Sequence, residues 1–195
     1  MKAFSLKHFV IMVLLLLPLS FTLWYFTAPW HLAPLTWLSQ TILKQVLPNA
    51  IQWLGLEGHT LVLASSFAAD AQQLDSLGFH LNPLAYSYSF PLLAALLLAT
   101  PSRQHGLTLL IGLLALLPFQ LLAMLSSVVK TLAFEIGLPF QERYGFSGWG
   151  LDALALFYQI STLILPMVLP LIIWGWLNRS LLEKLMPPVR IVANG

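Results

Sequence analysis

The sequence predicts an all-α membrane protein of four transmembrane helices, with an outer amphipathic helix and a candidate small β-hairpin. Three observations carry this expectation. Hydrophobic residues make up 58% of the 195 and charged residues only 8%, where soluble domains run at roughly a quarter charged. Four long apolar stretches divide the chain, and the charges keep step with them. Lys2, Lys7, Arg103, Arg179, Lys184 and Arg190 fall in the first, third and fifth pieces, against Lys44, Lys130 and Arg143 in the second and fourth. The acids do the reverse: Glu57, Asp70, Asp75, Glu135, Glu142 and Asp152 lie in the even pieces and only Glu183 in an odd one. A basic excess on alternate pieces is the positive-inside pattern, here for four crossings with both termini cytoplasmic.

The first crossing is expected at residues 9–28, about twenty residues or roughly 30 Å of helix. Trp24, Tyr25 and Trp30 mark its outer end as an interfacial aromatic belt does. With Lys2 and Lys7 before it, this run resembles a secretory signal. It is longer than the usual signal core, and Pro29 follows a poor cleavage site, so an uncleaved anchor is expected.

An outer segment, residues 29–83, follows. Pro29 and Pro34 are expected to break the helix. Leu35, Leu38, Ile42, Leu43, Val46 and Leu47 then recur at helical spacing opposite Ser39, Gln40, Lys44 and Gln45. This amphipathic helix is too short and polar to span, and it lies on the outer leaflet or packs on the other helices. Residues 51–67 tend to alternate, with Glu57-Gly58 as the turn of a hairpin. Residues 68–81 read as a polar segment returning to the membrane.

The second crossing is expected at 84–100, opened by Asn82-Pro83 and interrupted at Pro91. A six-residue turn leads to the third, 107–129, which contains Pro118 and Gln120. The outer loop, 130–152, precedes the fourth, 153–177, which contains Tyr158, Gln159, Pro166 and Pro170. The whole chain, 1–195, is expected to be a single polytopic domain without internal repeats.

Composition excludes several chemistries. There is no cysteine, hence no disulfide, thiolate metal site or cysteine nucleophile. The net charge of +2 is scattered, which leaves no basic stripe for nucleic acid. Gly145-Phe146-Ser147-Gly148 matches the GxSG nucleophile motif of rhomboid intramembrane proteases. That chemistry needs a base from a later helix, and the last histidine, His105, precedes the motif on the predicted inner side; a glycine-rich turn is expected instead. His31, His59 and His80 with Glu57, Asp70 and Asp75 lack the i, i+3 or i, i+4 spacing of a helical metal site, and no metal or cofactor is expected. Polar residues within the crossings need partners. Asn82, Tyr86, Tyr88, Gln120, Tyr158 and Gln159 are therefore either interhelical hydrogen-bonding residues or the lining of an outward polar groove.

The stretch 82–93, Asn-Pro-Leu-Ala-Tyr-Ser-Tyr-Ser-Phe-Pro-Leu-Leu, with Leu116-Leu-Pro-Phe-Gln120, Tyr158-Gln159 and Leu165-Pro166, resembles the exosortase H-associated membrane proteins. The resemblance implies a bacterial inner-membrane accessory of a protein-sorting system, with an exosortase or its sorted substrates as partners beside membrane lipids. It supplies no catalytic residues. An exosortase depends on a cysteine nucleophile, so this chain is not the processing enzyme. The expected function is non-enzymatic contact on the periplasmic side. The alternative is a lipid- or small-molecule-handling protein, an enzyme included, with a groove between the second, third and fourth crossings.

Overall fold

The computed structural model describes residues 6–70, 73–101 and 104–185. The chain is mostly helical, with three long apolar helices and a three-stranded antiparallel sheet. Helix α1 (Leu6–Val46) is a single helix of 41 residues with Pro18, Pro29 and Pro34 inside it. The break expected after residue 28 does not occur, and the amphipathic segment is the second half of the same helix. Packing and one side-chain hydrogen bond hold it together. Ala28, Leu32, Leu35, Thr36, Ser39 and Leu43 form a buried stripe at helical spacing. The Tyr25 carbonyl, whose usual partner would be the amide hydrogen that Pro29 lacks, lies 2.7 Å from Nε2 of His59. Bonding to a carbonyl requires that Nε2 carry the proton.

The buried face of this second half departs from the expected one. Ser39 is buried, whereas Val46 is 68% exposed. The face is set by the sheet that lies on it. Strand β1 (Ile51–Glu57) starts after a turn in which Asn49 takes a left-handed φ of 62°. The Leu54 amide then donates to Oε1 of Gln40 at 2.8 Å, tying β1 to α1. The expected hairpin is present: β1 pairs with β2 (Thr60–Asp70) from Glu57↔Thr60 upward, around Gly58 at φ 59°. Residues 73–81, expected as a polar connection, form β3 (Gln73–Leu81), with Leu61 opposite Leu81. Two strands alone would be marginal; a third strand and the face of α1 supply the missing burial. Leu61 and Leu63 on β2 are fully buried.

The sheet runs back along α1. Its β1–β2 tip reaches Tyr25, and β3 returns the chain to that level at Leu81. Helices α2 (Leu84–Ser87) and α3 (Ser89–Ala99) start there, separated by a turn at Tyr88. Together they form an apolar stretch shorter than the other three. Seven of the 11 residues of α3 are buried, because α1, α4 and α7 surround it. A short helix apolar all round suits the inside of a helix bundle.

Helix α4 (His105–Thr131) packs against α3 at Gly112, where Leu93 and Leu97 approach closely. It continues through a π-helical turn, Leu132–Ile136. The loop expected at 130–152 is largely helical, with α5 (Leu138–Tyr144) in its middle. Helix α6 (Gly148–Gln159) begins earlier than the expected crossing and runs through a second π turn, Ile160–Ile164, into α7 (Leu165–Leu177). Pro166 just beyond that turn lacks an amide hydrogen, which loosens the winding before it. A final helix, α8, spans Arg179–Leu185.

Two ends can be told apart. The sheet, the second half of α1 and α5 share one apolar cluster, and the Tyr144 hydroxyl donates to the Pro48 carbonyl at 2.7 Å. At the other end the Trp174 indole donates to Thr100 Oγ1 at 2.8 Å and stacks on Phe9. Leu14, Leu15, Leu19 and Leu23 of α1 are exposed, an apolar surface suited to lipid.

Candidate functional site

Two apolar clusters are separated by a polar layer. Leu93, Leu97, Leu116, Leu169 and Ile173 form the cluster away from the sheet. Between it and the sheet-end cluster lie Ser87, Ser89 and Gln120, with the Ser126–Ser161 pair beside them, all buried. Most of this layer is hydrogen-bonded across helices. Ser126 and Ser161 hydroxyls meet at 2.8 Å, joining α4 to the second π turn. Gln120 Nε2 donates to Ser89 Oγ at 3.1 Å and to the Ser87 carbonyl at 3.5 Å. The Ser87 carbonyl lies four residues before Pro91, so the glutamine serves a backbone group that the proline leaves without a helical partner.

Beside this layer, on the sheet side, is a cavity of ≈ 350 Å³. It is lined by Phe79, His80, Leu81, Asn82, Ala85, Tyr86, Ser127, Lys130, Thr131, Glu135, Tyr158 and Thr162. Strand β3 brings the first three, α2 brings Tyr86, and α4 with its π turn brings Ser127 through Glu135. Both π turns border the cavity. Such insertions re-aim side chains and recur at functional sites. Lys130 Nζ lies 3.6 Å from a Glu135 carboxylate oxygen and 5.8 Å from the centre of the Tyr158 ring. Tyr86 is only 2% exposed, and among the described residues its hydroxyl has no hydrogen-bond partner. An unpartnered buried hydroxyl costs about 1–3 kcal/mol.

Of the six expected groove residues, Asn82, Tyr86 and Tyr158 line this cavity. Gln120 lies behind Tyr86 on a crevice of ≈ 10 Å³ that Tyr86 also borders. That volume holds about one water. Tyr88 and Gln159 line neither. Tyr88 sits in the α2–α3 turn, and Gln159, one position past Tyr158, is exposed because each helical step rotates a side chain by about 100°. The sequence reading missed Ser127, Lys130, Thr131 and Glu135. Their signal was present as polar residues at i, i+3 and i+4 on an otherwise apolar helix.

The other motifs have local structural roles. Gly145 caps α5 at φ 70°, its amide bonding the Gln141 carbonyl, and Ser147 precedes α6 with an exposed side chain. His105 starts α4, whereas Ser147 lies past its far end. His31 stacks on Phe90 at 4.6 Å, and His59 stacks on Tyr25. The side chains of Asp70 and Asp75 lie outside what is described. Among the described residues, no three histidine or acidic side chains converge as a metal site.

No curated protein and no solved structure matches the chain. The family model for exosortase H-associated membrane proteins matches residues 3–181, nearly the whole length that carries the sheet, the helices and the cavity. The chain belongs to the exosortase H-associated membrane protein family.

Proposed function

We propose that this protein is a non-enzymatic inner-membrane accessory of an exosortase-type sorting system, making its contacts on the periplasmic side. Family membership over residues 3–181 carries this reading. The charge bias supports four crossings with both termini cytoplasmic, the α2–α3 stretch being the second. At about 24 Å of helix, that stretch is shorter than the hydrocarbon core, and a locally thinned bilayer accommodates it. In this orientation the sheet and α5 face the periplasm. Leu138 and Trp149 around α5 are 68% and 88% exposed, and they offer apolar anchors to a partner or to the interface. Affinity purification from native membranes in mild detergent, with mass spectrometry, should recover an exosortase or its exported substrates. Recovery of neither would count against the accessory role. Reporter fusions at each terminus should both read cytoplasmic; a periplasmic signal from either end removes the four-crossing arrangement.

A second reading is favoured by one observation, the ≈ 350 Å³ cavity with the unpartnered Tyr86 hydroxyl. In it the protein handles a lipid or small molecule in that groove.

A further inference from the structure

We propose that the cavity holds a zwitterionic head bearing a phosphate and an ammonium, presented by a phospholipid such as phosphatidylethanolamine. This deepens the groove reading and is independent of the accessory role. Three features of the site specify the ligand.

The first is charge. The charged lining consists of Lys130 and Glu135, 3.6 Å apart. A lone anion beside Lys130 would also face Glu135, and a lone cation beside Glu135 would face Lys130. A head with one charge of each sign satisfies both, with phosphate on the lysine and ammonium on the carboxylate. The side chains are 33% and 54% exposed, so their present pairing is loosely held and exchangeable.

The second is depth. Leu81 pairs with Leu61, close to the hairpin tip whose His59 bonds the Tyr25 carbonyl. The β3 wall of the cavity is therefore level with Tyr25, an exposed aromatic residue of the kind that sits among headgroups. Phe134 and Leu163 on the two π turns are exposed and offer apolar surface to acyl chains.

The third is the floor. Tyr86 borders the cavity, and its hydroxyl, covered from solvent, has no hydrogen-bond partner among the described residues. A small shift of that cover on binding would let a phosphate oxygen accept the hydrogen bond.

The test is native mass spectrometry of the purified full chain after delipidation. It is offered equal amounts of dioleoyl-phosphatidylethanolamine and dioleoyl-phosphatidylglycerol. The ethanolamine lipid should be retained about tenfold better, and Lys130→Gln and Glu135→Gln should each lower its retention about tenfold, the loss of one charge-assisted bond. Tyr86→Phe should lower it severalfold with its melting temperature recorded alongside; the two surface variants carry the test if Tyr86→Phe does not fold. In a separate arm, soluble phosphoethanolamine competes for the site. Competition assigns recognition to the head alone, whereas retention without competition assigns it to the intact lipid; both support the zwitterionic site. Equal or better retention of the glycerol lipid, still sensitive to Tyr86→Phe, overturns the zwitterion while leaving a groove that takes another amphiphile. Retention that none of the variants changes overturns both.

Discussion

Nε2 of His59 lies 2.7 Å from the carbonyl oxygen of Tyr25, and the two rings stack at 4.2 Å. Pro29 ties this contact to the integrity of α1, because it removes the amide that would otherwise bond that carbonyl. His59→Ala should therefore destabilise the protein by about 1 kcal/mol. In a Pro29→Ala background the helix regains its own hydrogen bond, and the same substitution should cost about half as much, the lost stacking alone. Thermal unfolding of the four variants in mild detergent measures the coupling. Equal costs in both backgrounds would show that the histidine does not serve the proline-freed carbonyl.

Gly112 lets α3 and α4 approach. A Cβ placed there would lie 3.0 Å from Leu93 Cδ2 and 3.1 Å from Leu97 Cδ1. Both are ends of flexible side chains, so Gly112→Ala should be tolerated or nearly so. Gly112→Leu should cost about 1–3 kcal/mol by overpacking, read as a lower melting temperature. A neutral leucine variant would mean that the two helices separate more easily than this packing implies.

Ser126 and Ser161 share a buried hydrogen bond of 2.8 Å, yet each also reaches a backbone carbonyl on its own helix. Ser126→Ala should therefore cost only about 0.6 kcal/mol, the average for hydrogen bonds between membrane helices. A loss several times larger would identify the pair as a principal tie between α4 and α6–α7.

On β1 the Trp53 indole occupies the space that a side chain on Gly55 would need. Gly55→Ala should push the indole outward and shift tryptophan emission to the red. The shift should vanish in a Trp53→Phe background, which separates this indole from the other six.

Much of this architecture was legible because membrane burial is written in long apolar runs. The crossings expected at 107–129 and 153–177 lie within His105–Ile136 and Gly148–Leu177. Proline was misread. Pro29 and Pro34 read as helix ends in the sequence, but packing carries α1 through both, and the substitute donor for the carbonyl that Pro29 frees lies 34 residues away. The third strand was missed because its partner is β2, whose length past Phe67 had no local marker. Among the site residues, Asn82, Tyr86 and Tyr158 were found as polar groups in apolar surroundings. Ser127, Lys130 and Thr131 share one helix face at i, i+3 and i+4, but the π turn that brings Glu135 to Lys130 at i+5 leaves no periodic signature.

The way the hairpin folds back along α1 gives the protein an order of assembly. Gln40, Leu54, His59 and Tyr25 all belong to the first third of the chain, so α1 and the β1–β2 hairpin can close on short-range contacts as synthesis proceeds. The cavity cannot. Its lysine, glutamate and second tyrosine arrive with α4, its π turn and α6, Lys130 lying 49 positions beyond Leu81. A ligand held there binds only the completed bundle and adds its binding free energy to that state, making occupancy a report on successful insertion.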